Sequence, residues 1–233
     1  MSDLFEVSEE LSQFSGQAPL FPLPNAVHFP HAWLPLHIFE ARYRQMISDV
    51  LDGDRLIAMA LLQPNWEASY DTKLAQIHPI VCLGHIAVEE RLSDGRYNLA
   101  LRGLSRARVE YEIDGVEPYR VAKLTLLPDE YSHLTTIDRR ERQRELLTSA
   151  VEVLPELQSD PLLHQLLEAE LPLGVLCDVI SHSLGVSPDD ARLLLEETDV
   201  DLRRELVLSH LHQHNRRQKA GATGGFPPAF SVN

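Results

Sequence analysis

The sequence predicts an α+β protein: an antiparallel β-barrel or sandwich with one inserted helix, followed by an all-α half. Three observations carry this expectation. Five short β-like runs separated by turn signals fall between residues 55 and 127, a spacing that suits an antiparallel barrel or sandwich better than βαβ units. A single helical stripe precedes them, and beyond residue 128 the apolar period changes to 3.6.

The chain has 233 residues, 44% hydrophobic and 24% charged, a composition that buries a core and does not resemble disorder. Residues 1–17 form an acidic leader that lacks the basic start and apolar centre of a signal peptide. No stretch approaches 18 continuous apolar residues, so no membrane span is expected and the cytoplasm is the expected location. Residues 19–35 hold five of the 15 prolines. Proline lacks the donor that a β-ladder needs, so this segment reads as an edge strand and turn.

In residues 40–51 the apolar side chains Tyr43, Met46, Ile47, Val50 and Leu51 fall on one helical stripe, with Gly53 to stop it. Residues 55–62 read as a buried strand and 80–92 as another, with Gly84 a bulge or a close approach. Asp94-Gly95 is a strong hairpin signal, followed by an alternating run at 96–102. Runs at 107–113 and 119–127 complete the five. Residues 138–154 begin with a solvated charged face and end in an apolar stripe, and 161–167 read as a short helix. A stripe from Leu173 to Leu184 stops at Gly185, and Ser187-Pro188-Asp189-Asp190 is a capped helix start. A last helix runs from about residue 199 to 215, and the Gly/Pro-rich stretch 221–233 is expected to be disordered. The expected organisation is therefore leader 1–17, β-barrel domain 18–128, helical domain 129–220 and tail 221–233.

The net charge is −14, which argues against a broad phosphate-binding footprint and against nucleic acid as a partner. The acidity is uneven: −4 over residues 1–24, −2 over 25–127 and −8 over 128–233. Any work done by the barrel region cannot be read from bulk charge. Cys82 and Cys177 each lie inside an apolar run and read as buried thiols.

No phosphate-binding glycine loop, nucleophile elbow, HExxH or CxxC occurs. His28-x-x-His31 has no acid or cysteine at ligand spacing, and His210, His212 and His214 splay around a helix. On a strand, Cys82 and His85 point to opposite faces, which argues against a thiol nucleophile. No catalytic residue, cofactor or metal site is expected. Phe21, Phe29, Trp33, Phe39 and Tyr43 cluster around the prolines and the first helix, where a core role is the plain reading. Trp66 and Tyr70 lie in a polar loop. They either grip apolar side chains of a partner or fold back as a lid over the barrel end, and both readings stand.

The run PLFPLPNAVHFP at 19–30 and then LPLHIFEARYRQM at 34–46 closely resembles the opening of the Lon-protease N-terminal, substrate-recognition domain. Leu83-Gly84-His85-Ile86, Asp94-Gly95-Arg96-Tyr97 and Arg102-Gly103-Leu104-Ser105-Arg106 are similar to later elements of that family, as are Pro118-Tyr119 and the LLLEETDV segment at 193–200. Ala41 and Ala107 depart mildly, standing where the family often has proline and an aromatic residue. The resemblance covers roughly residues 18–210. It implies a PUA-like antiparallel pseudo-β-barrel with an inserted helix, then a helical bundle. Neither the family's ATPase module nor its peptidase module follows, so a stand-alone, non-catalytic binding protein is implied.

The resemblance also implies capture of exposed apolar segments of unfolded or damaged polypeptide, with Phe21, Phe29, Trp33, Trp66 and Tyr70 as the candidate surface and a protease or chaperone as a further partner. The alternatives are an RNA-binding PUA-like protein and a small-molecule-binding barrel. The RNA reading requires Arg91, Arg96, Arg102, Arg106, Arg108 and Arg120 to gather on one face.

Overall fold

The computed structural model describes residues 7–12, 14–132, 138–154 and 171–223. A short helix α1 (Val7–Ser12) leads into β1 (Gln17–Leu23), β2 (Trp33–Ile38), α2 (Ala41–Leu51) and β3 (Leu56–Leu61). Then come β4 (Ile80–Arg91), β5 (Tyr97–Ile113) and β6 (Arg120–Leu127), and the helices α3 (Arg139–Val153), α4 (Leu173–Ser183), α5 (Pro188–Glu196) and α6 (Val200–Thr223). The α+β class and the inserted helix are as expected. The short helix expected at 161–167 lies outside the described residues, as does the tail from 224. The last helix reaches Thr223, past the expected boundary at 220.

One six-stranded sheet runs β2-β5-β4-β3-β1-β6 and closes because β5 also pairs with β6. Strand β5 makes the closure possible. One of its edges pairs with β4, while the other pairs with β2 from Tyr97 to Arg102 and with β6 from Arg106 to Ile113. The two runs read as separate strands at 96–102 and 107–113 are thus one strand of 17 residues. Gly103 lies inside it rather than at a turn. The loop at Phe29 passes directly over Gly103, where a Cβ would stand 2.0 Å from the Phe29 carbonyl oxygen.

The sheet is not wholly antiparallel, which corrects the expectation: β1 and β3 are parallel. Nor is β1 an edge strand, since it pairs with both β3 and β6. Its prolines survive because the two pairings are staggered. Pro19 lies in the half registered with β6, and Pro22 in the half registered with β3, so each proline's missing donor is asked of one neighbour only. Strand β2 is the edge the prolines predicted. It pairs with β5 alone and carries Pro35.

Helix α2 buries Tyr43, Met46, Ile47 and Val50 against one face of the sheet, where Ile38, Ile57, Met59, Ile86, Leu99 and Leu101 receive them. On the opposite face a cluster rich in alanine (Ala18, Ala58, Ala60, Ala107, Ala122) packs tightly, and Leu11 and Phe14 cover part of it. Small residues let the closed sheet curve without opening a void. A third cluster joins the two halves of the chain: Phe29, Ala32, Ile80 and Cys82 from the strand region pack with Leu146, Leu176, Cys177, Leu194, Leu208 and other helical side chains. Local signals place the helix ends as read. Asp138 caps α3 by accepting from the Arg140 and Glu141 backbone N–H groups, Gly185 takes φ +57° just beyond α4, and Ser187 Oγ accepts from Asp190 N at 3.2 Å.

Candidate functional site

Alternation along β2 sends Leu34, Leu36 and Ile38 toward α2 and leaves Trp33, Pro35 and His37 on the other face. Directly opposed residues of antiparallel strands share a face. The register therefore builds three rows across β2, β5 and β4: Trp33–Arg102–His85, Pro35–Ala100–Val88 and His37–Asn98–Glu90. Hydrogen bonds fix the third row, with His37 Nδ1 and Asn98 Oδ1 2.8 Å apart and Asn98 Nδ2 donating to Glu90 Oε2 at 3.0 Å. At the ends of the first two rows Trp33 and Val88 present apolar surface to solvent, 41% and 60% exposed. Just past β2, Phe39 is 62% exposed and its ring lies nearly parallel to that of His37, centroids 6.4 Å apart. These three form an uncovered apolar patch along β2, the only edge strand among the described residues, rimmed by polar groups.

The five candidate residues separate. Phe21 and Phe29 are buried, Phe21 edge-on to Tyr43 and Phe29 in the cluster between strands and helices. Both are core and offer nothing to a partner. Trp33 is on the patch. Trp66 and Tyr70 are half-buried and pack edge to face, ring centroids 5.2 Å apart. Their loop folds back onto the start of α2. The Tyr70 hydroxyl donates to Glu40 Oε1 at 3.0 Å, Arg42 Nη1 donates to the Tyr70 carbonyl at 2.9 Å, and the Arg42 guanidinium lies over the Tyr70 ring. Phe39 and Val88 were missed as surface residues. In the sequence Phe39 reads as one of the core aromatics, and Val88 sits in a run that reads as an ordinary strand.

The Trp66–Tyr70 loop lies against the start of α2. Beneath it a crevice between Tyr43, Tyr70 and Tyr119 holds about 10 Å³, room for about one water molecule. A wider cleft of about 420 Å³ lies beside the strand ends, lined by Ile80, Arg108, Leu127, Glu130 and Glu196. Its walls carry both signs of charge and no aromatic ring, so it suits an apolar segment less than the patch does.

A family model, the ATP-dependent protease La (LON) substrate-binding domain, matches residues 17–213. The chain belongs to that family. It is 26% identical over 209 residues to a Lon protease of Desulfosudis oleivorans, covering 87% of this chain and 24% of that protein. It is 27% identical over 199 residues to a Lon protease of Xanthomonas oryzae, covering 82% and 22%. The chain thus spans about a quarter of the length of the curated relatives it matches. Among solved structures, the N-terminal domain of Mycobacterium avium complex Lon protease superposes with TM-score 0.66 at 15% identity, covering 85% of this chain and 99% of that one. A Lon N-terminal domain protein from Xanthomonas campestris gives 0.59 at 22% identity, covering 83% and 97%. The fold is that of Lon N-terminal domains.

Within this Lon-type fold the arginines do not gather as an RNA face would require. Arg106 and Arg120 are buried, the first on Asp178 and the second on Glu112 and the Ala75 carbonyl. Arg102 bonds Glu10, Arg96 bonds Asp94, and Arg91 lies over the Tyr97 ring. Arg108 is exposed in the wide cleft. Burial drives the Cys82 thiol well above its ordinary range, so the thiolate that nucleophilic chemistry needs is disfavoured. Among the described residues no group of three or more His, Cys, Asp or Glu side chains is placed to hold a metal ion, and no helix is long and apolar enough to cross a membrane.

Proposed function

We propose that this chain is a non-catalytic, cytoplasmic module of protein quality control that captures exposed apolar segments of unfolded or damaged polypeptide on the face carrying Trp33, Phe39 and Val88. The observation that carries the reading is the coincidence of an open strand edge with an uncovered apolar patch, both on β2 and its neighbours. An extended segment laid along β2 gains main-chain hydrogen bonds from the edge and buries alternate side chains against the patch. Apolar burial contributes about 25 cal/mol per Å². Pro35 removes one donor from that edge, which limits unregulated strand pairing and keeps capture reversible. Membership in a substrate-binding family supports the reading, and a protease or chaperone is the partner that would receive the captured segment.

The test is calorimetric titration of the chain with a permanently unfolded, reduced and alkylated model protein and with the same protein native. Micromolar binding of the unfolded form alone is expected. No binding of the unfolded form at that concentration eliminates the reading.

A further inference from the structure

The face proposed to take polypeptide already carries a short piece of this chain. Helix α1 lies on the side of the sheet away from α2, where Leu11 and neighbouring Phe14 pack against the alanine-rich cluster. Its Glu10 Oε1 accepts from Arg102 Nη2 and stands 3.7 Å from His85 Nδ1. Arg102 and His85 are opposed across β4 and β5, and Trp33 is the partner of Arg102 on β2. The Glu10 carboxylate therefore sits on the middle of the row whose outer end is the exposed Trp33.

The contact is only half made. Glu10 Oε2 and His85 Nδ1 are both buried without a hydrogen-bond partner. A polar cluster that is partly satisfied recovers little of its desolvation cost, so holding Glu10 in place adds little to folding. Its chemistry is nonetheless specific, a carboxylate on a guanidinium beside an exposed indole.

We infer that α1 is a displaceable occupant of the polypeptide site and that Arg102 is a carboxylate-receiving subsite within it. The favoured ligand is an extended segment placing an Asp or Glu next to an apolar or aromatic residue. Its carboxylate takes the place of Glu10 on Arg102 and its apolar side chain lies on Trp33. Binding and release of α1 are then one event. This inference rests on the function proposed above.

The experiment uses two fluorescein-labelled dodecapeptides that alternate Leu or Phe with Ser, one with a central Glu and its twin with Gln. Anisotropy titrations are run on the intact chain and on the Glu10→Gln and Arg102→Gln variants, with circular dichroism to confirm folding. The intact chain is expected to prefer the Glu peptide. Glu10→Gln is expected to tighten that peptide by about twofold to fivefold, the range of a partly exposed ion pair, and Arg102→Gln to abolish the preference. Hydrogen exchange over Val7–Ser12 is expected to accelerate when the Glu peptide binds. Equal binding of both peptides by all three proteins, with unchanged exchange in α1, overturns the inference and leaves the proposed function standing. Binding of neither peptide by any of the proteins overturns both.

Discussion

Arg106 of β5 and Asp178 of α4, 72 residues apart, meet as a buried two-pronged pair. Nη1 donates to Oδ2 at 3.0 Å and Nη2 to Oδ1, while Arg106 Nε donates to the Leu195 carbonyl at 2.8 Å. Arg203 of α6 joins them: its Nε lies 3.4 Å from Asp178 Oδ1, and its Nη2 donates to both oxygens of Asp129 at 2.8 Å. A strand, three helices and the segment after β6 therefore converge on one network of fixed geometry.

Removing Asp178 leaves buried Arg106 with only the more distant Asp129, 3.4 Å away, and removing Arg106 leaves buried Asp178 with only Arg203, at 3.4 Å. Arg106→Met or Asp178→Leu alone is expected to cost about 3–5 kcal/mol of stability. The double variant is expected to recover much of that loss, because both members of the pair are gone and the remaining buried cation of the network, Arg203, keeps Asp129. Urea unfolding of the four proteins checks this. Additive losses in the double variant would show that the two side chains are not coupled.

Gly103 is the place where the loop of Phe29 crosses β5. Gly103→Ala puts a methyl group into backbone that cannot give way, and a loss of about 1–3 kcal/mol or more is expected. Gly53→Ala serves as the control, because its Cβ would meet nothing nearer than 3.7 Å. Thermal unfolding of both variants measures the contrast.

His28 is buried between the strand and helical halves, with its ring 6.0 Å from that of His182. Burial, and then the neighbouring His182, bring its pKa down to about 3. In the unfolded chain it titrates near 6.5. Between those values the unfolded state binds a proton that the folded state refuses. Stability is therefore present in full above about pH 6.5 and falls as the pH drops toward 3, with a slope approaching about 1.4 kcal/mol per pH unit from this group. Urea midpoints from pH 7 to pH 4 are expected to fall less steeply in His28→Phe than in the parent. Equal slopes would show that His28 is not the group responsible.

What the sequence made legible was local. The Asp94-Gly95 hairpin, the α2 stripe from Tyr43 to Val50 and the Ser187 cap each depend on residues within a few positions of one another, and all three stand as read. What it hid was non-local. The parallel pairing of β1 with β3 and the passage of β5 through Gly103 depend on segments tens of residues apart. Arg106 looked like a surface cation because its partner Asp178 lies in another half of the chain. The aromatics were partly readable. Composition could not say that Phe29 turns inward while Phe39 turns out, since Phe29 packs with side chains of the distant helices and Phe39 follows the face of β2 that α2 leaves open.

The central claim is that the β2 face receives polypeptide, and the most direct measurement is the affinity of Trp33→Ser for the unfolded model protein, relative to the parent chain. Trp33 is exposed on the face opposite α2, so the substitution is expected to leave the fold intact. It is expected to weaken binding by about 1–2 kcal/mol, as for an aromatic anchor of an interface, which is about fivefold to thirtyfold. Unchanged affinity in a folded Trp33→Ser variant would contradict the account.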